Sequence, residues 1–487
     1  MKKWLLIIAC WSSSLIQAQT VKALRDAIQV LVADDDLKNA SVGFYALDLD
    51  SNKIISGISS NKTLVPASTM KLVTTATALE MMGSGKRFST FLKYSGEIDT
   101  NCVLHGNIYI VGGGDPCLGS PKFDSHYGDL IGNWAEEVRQ QGIDSIDGRV
   151  IGDATIFNEQ MIPSTWIWGD LGNYYGAGPC GLSIHENMCE LTLQSGKKGD
   201  TTVISCVNPY IPDMTIDNYV KGMITDDDES YILGGPYQQK RVIKGGIPVN
   251  QEEFSVRGSI PDPAYLAAFE LDMELRMNGM KIARSATTIR KLKNEEGVED
   301  DSQRHIIKTT YSPRLSSIIE MTNMYSINLY AEHIMNQIGL FKYGSGDTGS
   351  GTQATTEFWK GRGLDTDGFY VYDGSGLSRF NAVTPRQLVG ILALLYESKN
   401  YKIFLSTLPV AGKSGTLRNV GKGTAASGKV RAKSGTMTRV KSYAGYVTTK
   451  NKRNIAFALI VNNHNCSAYE MKKKMEKIMV KLAEIND

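Results

Sequence analysis

Ser68 and Lys71 stand three residues apart, a spacing that puts both side chains on one face of a helix. A serine hydroxyl is a poor nucleophile until a base removes its proton, and a neutral lysine in an enclosed, positively charged site can do so. The positive end of the helix dipole favours the negative charge that develops during acyl transfer. Alone, Ser-x-x-Lys is a weak signal, equally readable as a helix start capped by Ser68. Two further clusters strengthen it. Ser326-Ile327-Asn328 falls within Met324 to Ile334, which reads as a helical turn. Its hydroxyl could relay a proton to a leaving group while Asn328 orients Lys71 and a bound peptide backbone; the plainer reading is a polar helix surface. Lys433-Ser434-Gly435-Thr436 lies on a strand expected from Val430 to Met437. There glycine leaves room for a ligand beside an edge strand, the hydroxyls and the cation suit a carboxylate, and a backbone N–H can complete an oxyanion hole. The plainer reading is a turn between strands. Lys413-Ser414-Gly415-Thr416 repeats the same four letters, but it sits among Gly412, Gly421 and Gly423 with no β run of its own. The copy at Lys433 leads into a strand and is taken as the third element.

The elements that must position these clusters come from both ends of the chain. Val21 to Leu31 reads as a short helix, and Ser41 to Leu47 alternates as a strand. The Asp50-Ser51-Asn52-Lys53 turn then leads into a return strand at Ile54. After Lys71 a helix with Leu72, Ala76 and Leu79 on its apolar side runs to Gly83. Near the other end, Ser442 to Thr449 and Ile455 to Val461 form a second hairpin, followed by a helix carrying Met471, Met475, Ile478 and Leu482 on one face. One domain built from the two termini, with the middle of the chain inserted, satisfies these patterns. The middle is rich in Gly, Asp and short β-like runs such as Ile108 to Val111 and Arg149 to Gly152, with a returning helix from Pro261 to Met277.

At 487 residues the chain exceeds one ordinary core. Its 53 Lys+Arg against 51 Asp+Glu leave a formal charge of +2, which gives no basic field for nucleic acid. No CxxC pair occurs and the six histidines are scattered, so no metal and no cofactor are expected. Gly112 to Gly114 lacks the Gly-Lys-Ser/Thr ending of a phosphate cradle and any Rossmann spacing, which argues against nucleotide binding. The N-terminus reads Met1-Lys2-Lys3, a mostly apolar stretch from Trp4 to Ile16, and Gln17-Ala18-Gln19, the layout of a signal peptide cleaved after Ala18. A lipoprotein signal at Ile7-Ile8-Ala9-Cys10 is the alternative, so the expectation is export, with membrane attachment if Cys10 is the acceptor. Six cysteines follow; an even number permits disulfides without assigning a pairing.

Taken in order, the three clusters resemble the three motifs of penicillin-binding proteins and serine β-lactamases. The separation between Ser68 and Ser326 far exceeds what the basic penicillin-recognising domain needs, so the chain is similar to the class C low-molecular-mass penicillin-binding proteins, the D-alanyl-D-alanine carboxypeptidase/endopeptidase family. Val65 to Lys71, Gly112-Gly113-Gly114-Asp115-Pro116, Asp373-Gly374-Ser375-Gly376-Leu377-Ser378-Arg379 and Ala444-Gly445-Tyr446 carry the same likeness. Two positions depart from it: Ile327, where an acidic residue is usual, and Ser434, where threonine is common. Neither removes a functional hydroxyl, amide or amine.

The resemblance implies an α/β (α+β) fold, an antiparallel sheet covered by helices, with large mostly β insertions. Residues 1–18 would be the signal peptide, 19–85 and 296–487 the catalytic domain, and 86–295 the insertion, with a smaller domain nested at about 160–260. It implies a periplasmic enzyme whose partner is the peptidoglycan stem peptide ending in D-Ala-D-Ala, with β-lactams as covalent inhibitors. Ser68 would be the nucleophile, Lys71 its base, and Ser326 and Asn328 its helpers. Lys433, Ser434, Gly435 and Thr436 would bind substrate, and the N–H groups of Ser68 and Thr436 would form the oxyanion hole. Two other readings fit the same clusters. A serine β-lactamase lacks support from any Glu-x-x-Leu-Asn segment between the motifs, and Tyr325 is misplaced for a Tyr-x-Asn tyrosine. A non-catalytic penicillin-sensing or cell-wall binding protein has no need of an intact Ser68 and Lys71.

Overall fold

The alternation of Ser41 to Leu47 and the apolar runs near the C-terminus close into one sheet. The computed structural model describes residues 20–297, 300 and 303–486. The targeting segment read at residues 1–18, with Cys10, therefore lies outside the described residues. The described chain divides into two compact units, one of the residues up to Gly85, Leu315–Ile327 and those from Gly351 on, the other of the described residues within Lys86–Arg314 and Asn328–Ser350.

In the first unit, helix α1 (residues 20–32) precedes the hairpin β1 (Ser41–Asp48) and β2 (Lys53–Ile58). Asp48 Oδ1 accepts the Asp50 and Ser51 amides at 3.1 and 2.7 Å, and Asn52 takes the left-handed conformation the turn requires. Helix α2 (Met70–Met82) follows, then α3 (Leu315–Tyr325) and α4 (Pro385–Tyr396). Strands β3 (Val430–Met437), β4 (Val440–Thr448) and β5 (Asn454–Asn462) lead to the closing helix α5 (Ala468–Glu484). The sheet order is β2-β1-β5-β4-β3, antiparallel throughout, so β3 with its Lys433 cluster is an edge strand.

Ser467 and Glu470 form a reciprocal capping box that starts α5. Its Met471, Met475, Ile478 and Leu482 are fully buried with Leu24, Ile28 and Leu31 of α1 against Phe44, Phe457 and Leu459 of the sheet. Burial at about 25 cal/mol per Å² makes each such side chain worth roughly 1.5–3 kcal/mol. Helix α4 packs on β1 and β5, and the Tyr446 hydroxyl donates to the Leu392 carbonyl at 2.8 Å.

The second unit is mostly β. One sheet orders Thr287–Thr288, Val150–Asp153, Ile108–Val111, Ser89–Ser95 and Arg304–Tyr311. The helix Pro263–Met277 lies against Val150–Asp153, as the returning helix required. Leu191, Leu193, Val220, Ile232, Ile243, Ile247 and Val256 make a separate small core within the region read as nested.

The division differs from the boundary expected at residue 296. Arg304–Tyr311 pairs with Ser89–Ser95 along seven residue pairs, and Trp134 Nε1 donates to Thr310 Oγ1 at 2.9 Å, which ties this strand to the second unit. The helix Asn328–Tyr343 belongs there too. On one of its faces His333 Nδ1 bonds the Gly114 carbonyl at 3.1 Å and Gln337 Nε2 donates to the Gly113 carbonyl at 2.8 Å. A Cβ at Gly113 would strike the Ser89 carbonyl, so this glycine run is a close backbone contact. The six cysteines from Cys102 to Cys466 are free thiols.

Candidate active site

Ser68 lies in a 3-10 turn, Ala67–Thr69, immediately before α2. It does not cap the helix: α2 has no side-chain cap bond, and the Ser68 hydroxyl, half-buried, is left for Lys71. Lys71 Nζ is 3.1 Å from Ser68 Oγ and donates to the Ser375 carbonyl at 2.7 Å, with its side chain fully buried. The three-residue spacing thus delivers the contact the helix face implies.

The backbone around the hydroxyl is held from several directions. Ala67 has φ +47°, a conformation a non-glycine residue adopts only under constraint. Gly376 packs on its carbonyl, leaving no space for a Cβ. Asp373 accepts from the amides of Gly376 and Ser378, at 2.7 and 2.5 Å, and from Asn381 Nδ2 at 2.7 Å, which fixes the loop bearing Ser375. Thr74 Oγ1 donates to the Gly374 carbonyl at 2.6 Å.

Ser326 stands where the sequence reading placed a continuous helical turn from Met324 to Ile334. That turn is broken. α3 ends at Tyr325, Ser326 takes φ +61°, and a new helix starts at Asn328. The break aims the Ser326 hydroxyl at Lys433 Nζ, which donates to it at 2.7 Å and to the Ser434 carbonyl at 2.8 Å. Asn328 opens the helix of the second unit, and its Nδ2 donates to the Tyr175 carbonyl at 2.8 Å.

The Lys433 to Thr436 cluster is on β3 as expected, antiparallel to β4. Gly435 is the point of closest approach to the serine. A Cβ there would lie 2.9 Å from Ser68 N and 2.7 Å from the Pro66 carbonyl, and would meet Ser442 Oγ. Ser442 in turn donates to the Pro66 carbonyl at 2.5 Å, pinning the turn before Ser68 to β4. Burial, then Lys71 and then Lys441, pushes the ammonium of Lys433 well below the usual lysine range.

Sequence reasoning set four contributors aside. The Lys413 to Thr416 repeat folds as a turn, not a strand, yet the Thr416 hydroxyl meets Ser434 Oγ at 2.9 Å. Ser375, Ser442 and Lys441 have no motif of their own; the Asp373 to Arg379 run was noted only for its family likeness. Among the described residues no group of His, Cys, Asp and Glu is placed to hold a metal ion.

The family model described as D-Ala-D-Ala carboxypeptidase 3 (S13) matches residues 24–485. The D-alanyl-D-alanine carboxypeptidase of an Actinomadura species is 28% identical over 490 residues, 95% of this chain and 84% of that one. The D-alanyl-D-alanine carboxypeptidase DacB of Haemophilus influenzae is 25% identical over 451 residues, 90% and 88% of the two chains. The crystal structure of penicillin binding protein 4 from Haemophilus influenzae superposes with TM-score 0.79 at 23% identity, over 95% of this chain and 99% of that one. The same protein complexed with a β-lactam gives TM-score 0.72 at 21% identity, over 94% and 98%. These solved structures share this chain's α/β fold. With a family model spanning nearly all of its described length, the chain belongs to the D-Ala-D-Ala carboxypeptidase 3 (S13) family and is an enzyme of that family, a carboxypeptidase.

Proposed function

We propose that the chain cleaves the bond between the two terminal D-alanines of peptidoglycan stem peptides through an acyl-enzyme on Ser68. The observation that carries this reading is the pairing of Lys71 Nζ with Ser68 Oγ at 3.1 Å beside the pairing of Lys433 Nζ with Ser326 Oγ at 2.7 Å. One amine serves the nucleophile and the other serves a hydroxyl suited to the leaving group.

With its amine neutral, Lys71 takes the Ser68 proton as Oγ bonds to the carbonyl carbon. The oxyanion is held by the N–H groups of Ser68 and Thr436, next to the gap kept open at Gly435. As the C–N bond breaks, the departing amine takes a proton by way of Ser326 and D-alanine leaves. A lowered Lys433 makes such a relay easier, because its ammonium gives up a proton more readily than a solvated one. Lys71 hands the proton it took to Lys433 by way of Ser326 and is neutral again. Water then attacks the ester, Lys71 takes the water's proton and returns it to Ser68 Oγ as the C–O bond breaks, and the shortened peptide departs. Lys433, Ser434 and Thr436 hold the terminal carboxylate.

β-Lactams imitate the same peptide end and acylate Ser68. Endopeptidase action on cross-linked peptides accompanies carboxypeptidase action in this reading. The reading of residues 1–18 supports export to the periplasm; among the described residues no helix is long and apolar enough to cross a membrane.

Mass spectrometry after exposure to labelled penicillin tests the nucleophile: one adduct on Ser68 is expected, and an adduct elsewhere or none on folded protein removes the reading. Incubation with disaccharide pentapeptide monomer and with cross-linked dimer, products resolved by mass, should show loss of one D-alanine from the first and severance of the second.

A further inference from the structure

Lys441 is the second residue of β4 and stands directly opposite Thr436 in the register of β3 and β4. Its side chain is buried, 9% exposed, whereas Thr436 faces outward. Nζ donates to Thr436 Oγ1 at 2.6 Å, and that bond is the hydroxyl's one partner among the described residues. Among the described residues the charged groups that couple to Lys441 are cations, Lys472 on α5 and Lys433 on β3, and the ring of Tyr443 on β4 lies 5.6 Å from Nζ. A lysine buried among like charges is destabilising unless something at the site uses the charge.

The chemistry of the pair defines that use. An ammonium has three donors and no acceptor, whereas a hydroxyl has one donor and two lone pairs. While Lys441 is protonated, Thr436 can only accept from it. Its single O–H is then released to donate outward, polarised by the cation behind it. We infer that Lys441 is a positioning residue for recognition of the substrate's terminal carboxylate, acting by fixing the Thr436 hydroxyl as an outward donor and by adding positive charge behind it. The inference rests on the acyl-enzyme reading of the site proposed above.

Titration gives the inference a second signature. Burial, and then Lys472, pushes Lys441 down to about 8. Below that pH the ammonium is present and the donor points outward. As pH rises through it, the neutral amine becomes an acceptor, the Thr436 O–H can turn inward, and the carboxylate loses a partner. Affinity for a free C-terminal carboxylate should therefore weaken above about pH 8, while turnover of bound substrate changes little.

The test uses the full chain with a peptide ending in D-Ala-D-Ala and the same peptide as its C-terminal amide. For the wild type, KM for the free acid should rise above about pH 8, and kcat/KM for the amide should lack that limb. K441M should raise KM for the acid about tenfold at pH 7, the scale of one charge-assisted hydrogen bond, with kcat within about twofold and the alkaline limb gone. K441R should restore the low KM and carry no limb near pH 8, because guanidinium stays charged. A K441M enzyme that keeps the wild-type KM and limb overturns the inference. So does a wild type without the limb, a result that needs no variant to fold. Penicillin labelling of the same wild-type preparation separates the two readings: absence of a Ser68 adduct sinks the acyl-enzyme site, whereas a normal adduct with unchanged K441M sinks only Lys441.

Discussion

Glu186 in the second unit and Lys433 in the first are both buried charges, and their surroundings are opposite in kind. Glu186 accepts from the hydroxyls of Ser120 and Tyr330, each at 2.6 Å, and from Lys122 Nζ at 2.7 Å, inside a left-handed turn of His185, Glu186 and Asn187. Nearby polar groups of that unit are closed off in the same way. Asp115 takes the Tyr127 hydroxyl at 2.6 Å and is pushed up to about 6 by burial, and His333 is pushed down to about 4, so burial favours the neutral form of both. In the first unit Lys433 and Lys441 are bonded to hydroxyls and a carbonyl rather than to carboxylates, with Lys71 close enough to depress Lys433. Around Glu186 the second unit neutralises what it buries. The first buries Lys433 and Lys441 without a carboxylate partner among the described residues, and in the function proposed above a substrate carboxylate takes that place. Buried charge is closed off by partners in one place and left beside hydroxyls in the other.

Breaking the first unit's chemistry should give the largest effects. Ser68→Ala should lower peptide release on the order of 10⁴-fold with the thermal midpoint unchanged, measured on the pentapeptide substrate. Retained hydrolysis would move the nucleophile elsewhere and end the comparison. Gly435→Ala is expected to slow acylation about 10²–10³-fold, because the new Cβ would press on Ser68 N and the Pro66 carbonyl where the oxyanion must sit. Labelling rates with a fluorescent penicillin check it, and a near-normal rate would show that β3 yields freely.

The second unit should respond in stability instead. Glu186→Ala strands the Tyr330 and Ser120 hydroxyls and the Lys122 amine, and should cost about 3 kcal/mol by urea denaturation while folded protein still labels normally with penicillin. A large loss of labelling at unchanged stability would contradict the division of labour.

The smallest effect is a pH slope. Asp115 has a folded value of about 6 against 3.8 for an ordinary aspartate, so the folded state holds the proton more tightly. Its contribution to stability is present below pH 4 and is lost as pH rises through about 6, roughly 2–3 kcal/mol in all. Asp115→Asn should flatten that slope, read from urea midpoints at pH 4.5 and pH 7. A slope as steep as the wild type's would assign it to other groups.

Patterns confined to one element were legible from residues alone. The Ser68 and Lys71 spacing, the strand carrying Lys433, both terminal hairpins and the apolar face of α5 each depend on a local repeat of 3.6 or 2 residues, and each is found where that repeat put it. The likeness to the family followed from the order of the motifs and extended to the fold.

Long-range packing decided the rest. The left-handed turn at Ser326 breaks what reads locally as helix, because α3 and the Asn328–Tyr343 helix pack in different units. The same effect moved the boundary from 296 to Leu315, where pairing with Ser89–Ser95 outweighs the composition of the segment. The bond from Lys71 to the Ser375 carbonyl, the approach of Thr416 to Ser434 and the pairing of Lys441 with Thr436 join residues through turns and strand register. A side chain's type and period determine which face of its element it occupies. What it meets across that face is set by the packing of every other element, which no local pattern records.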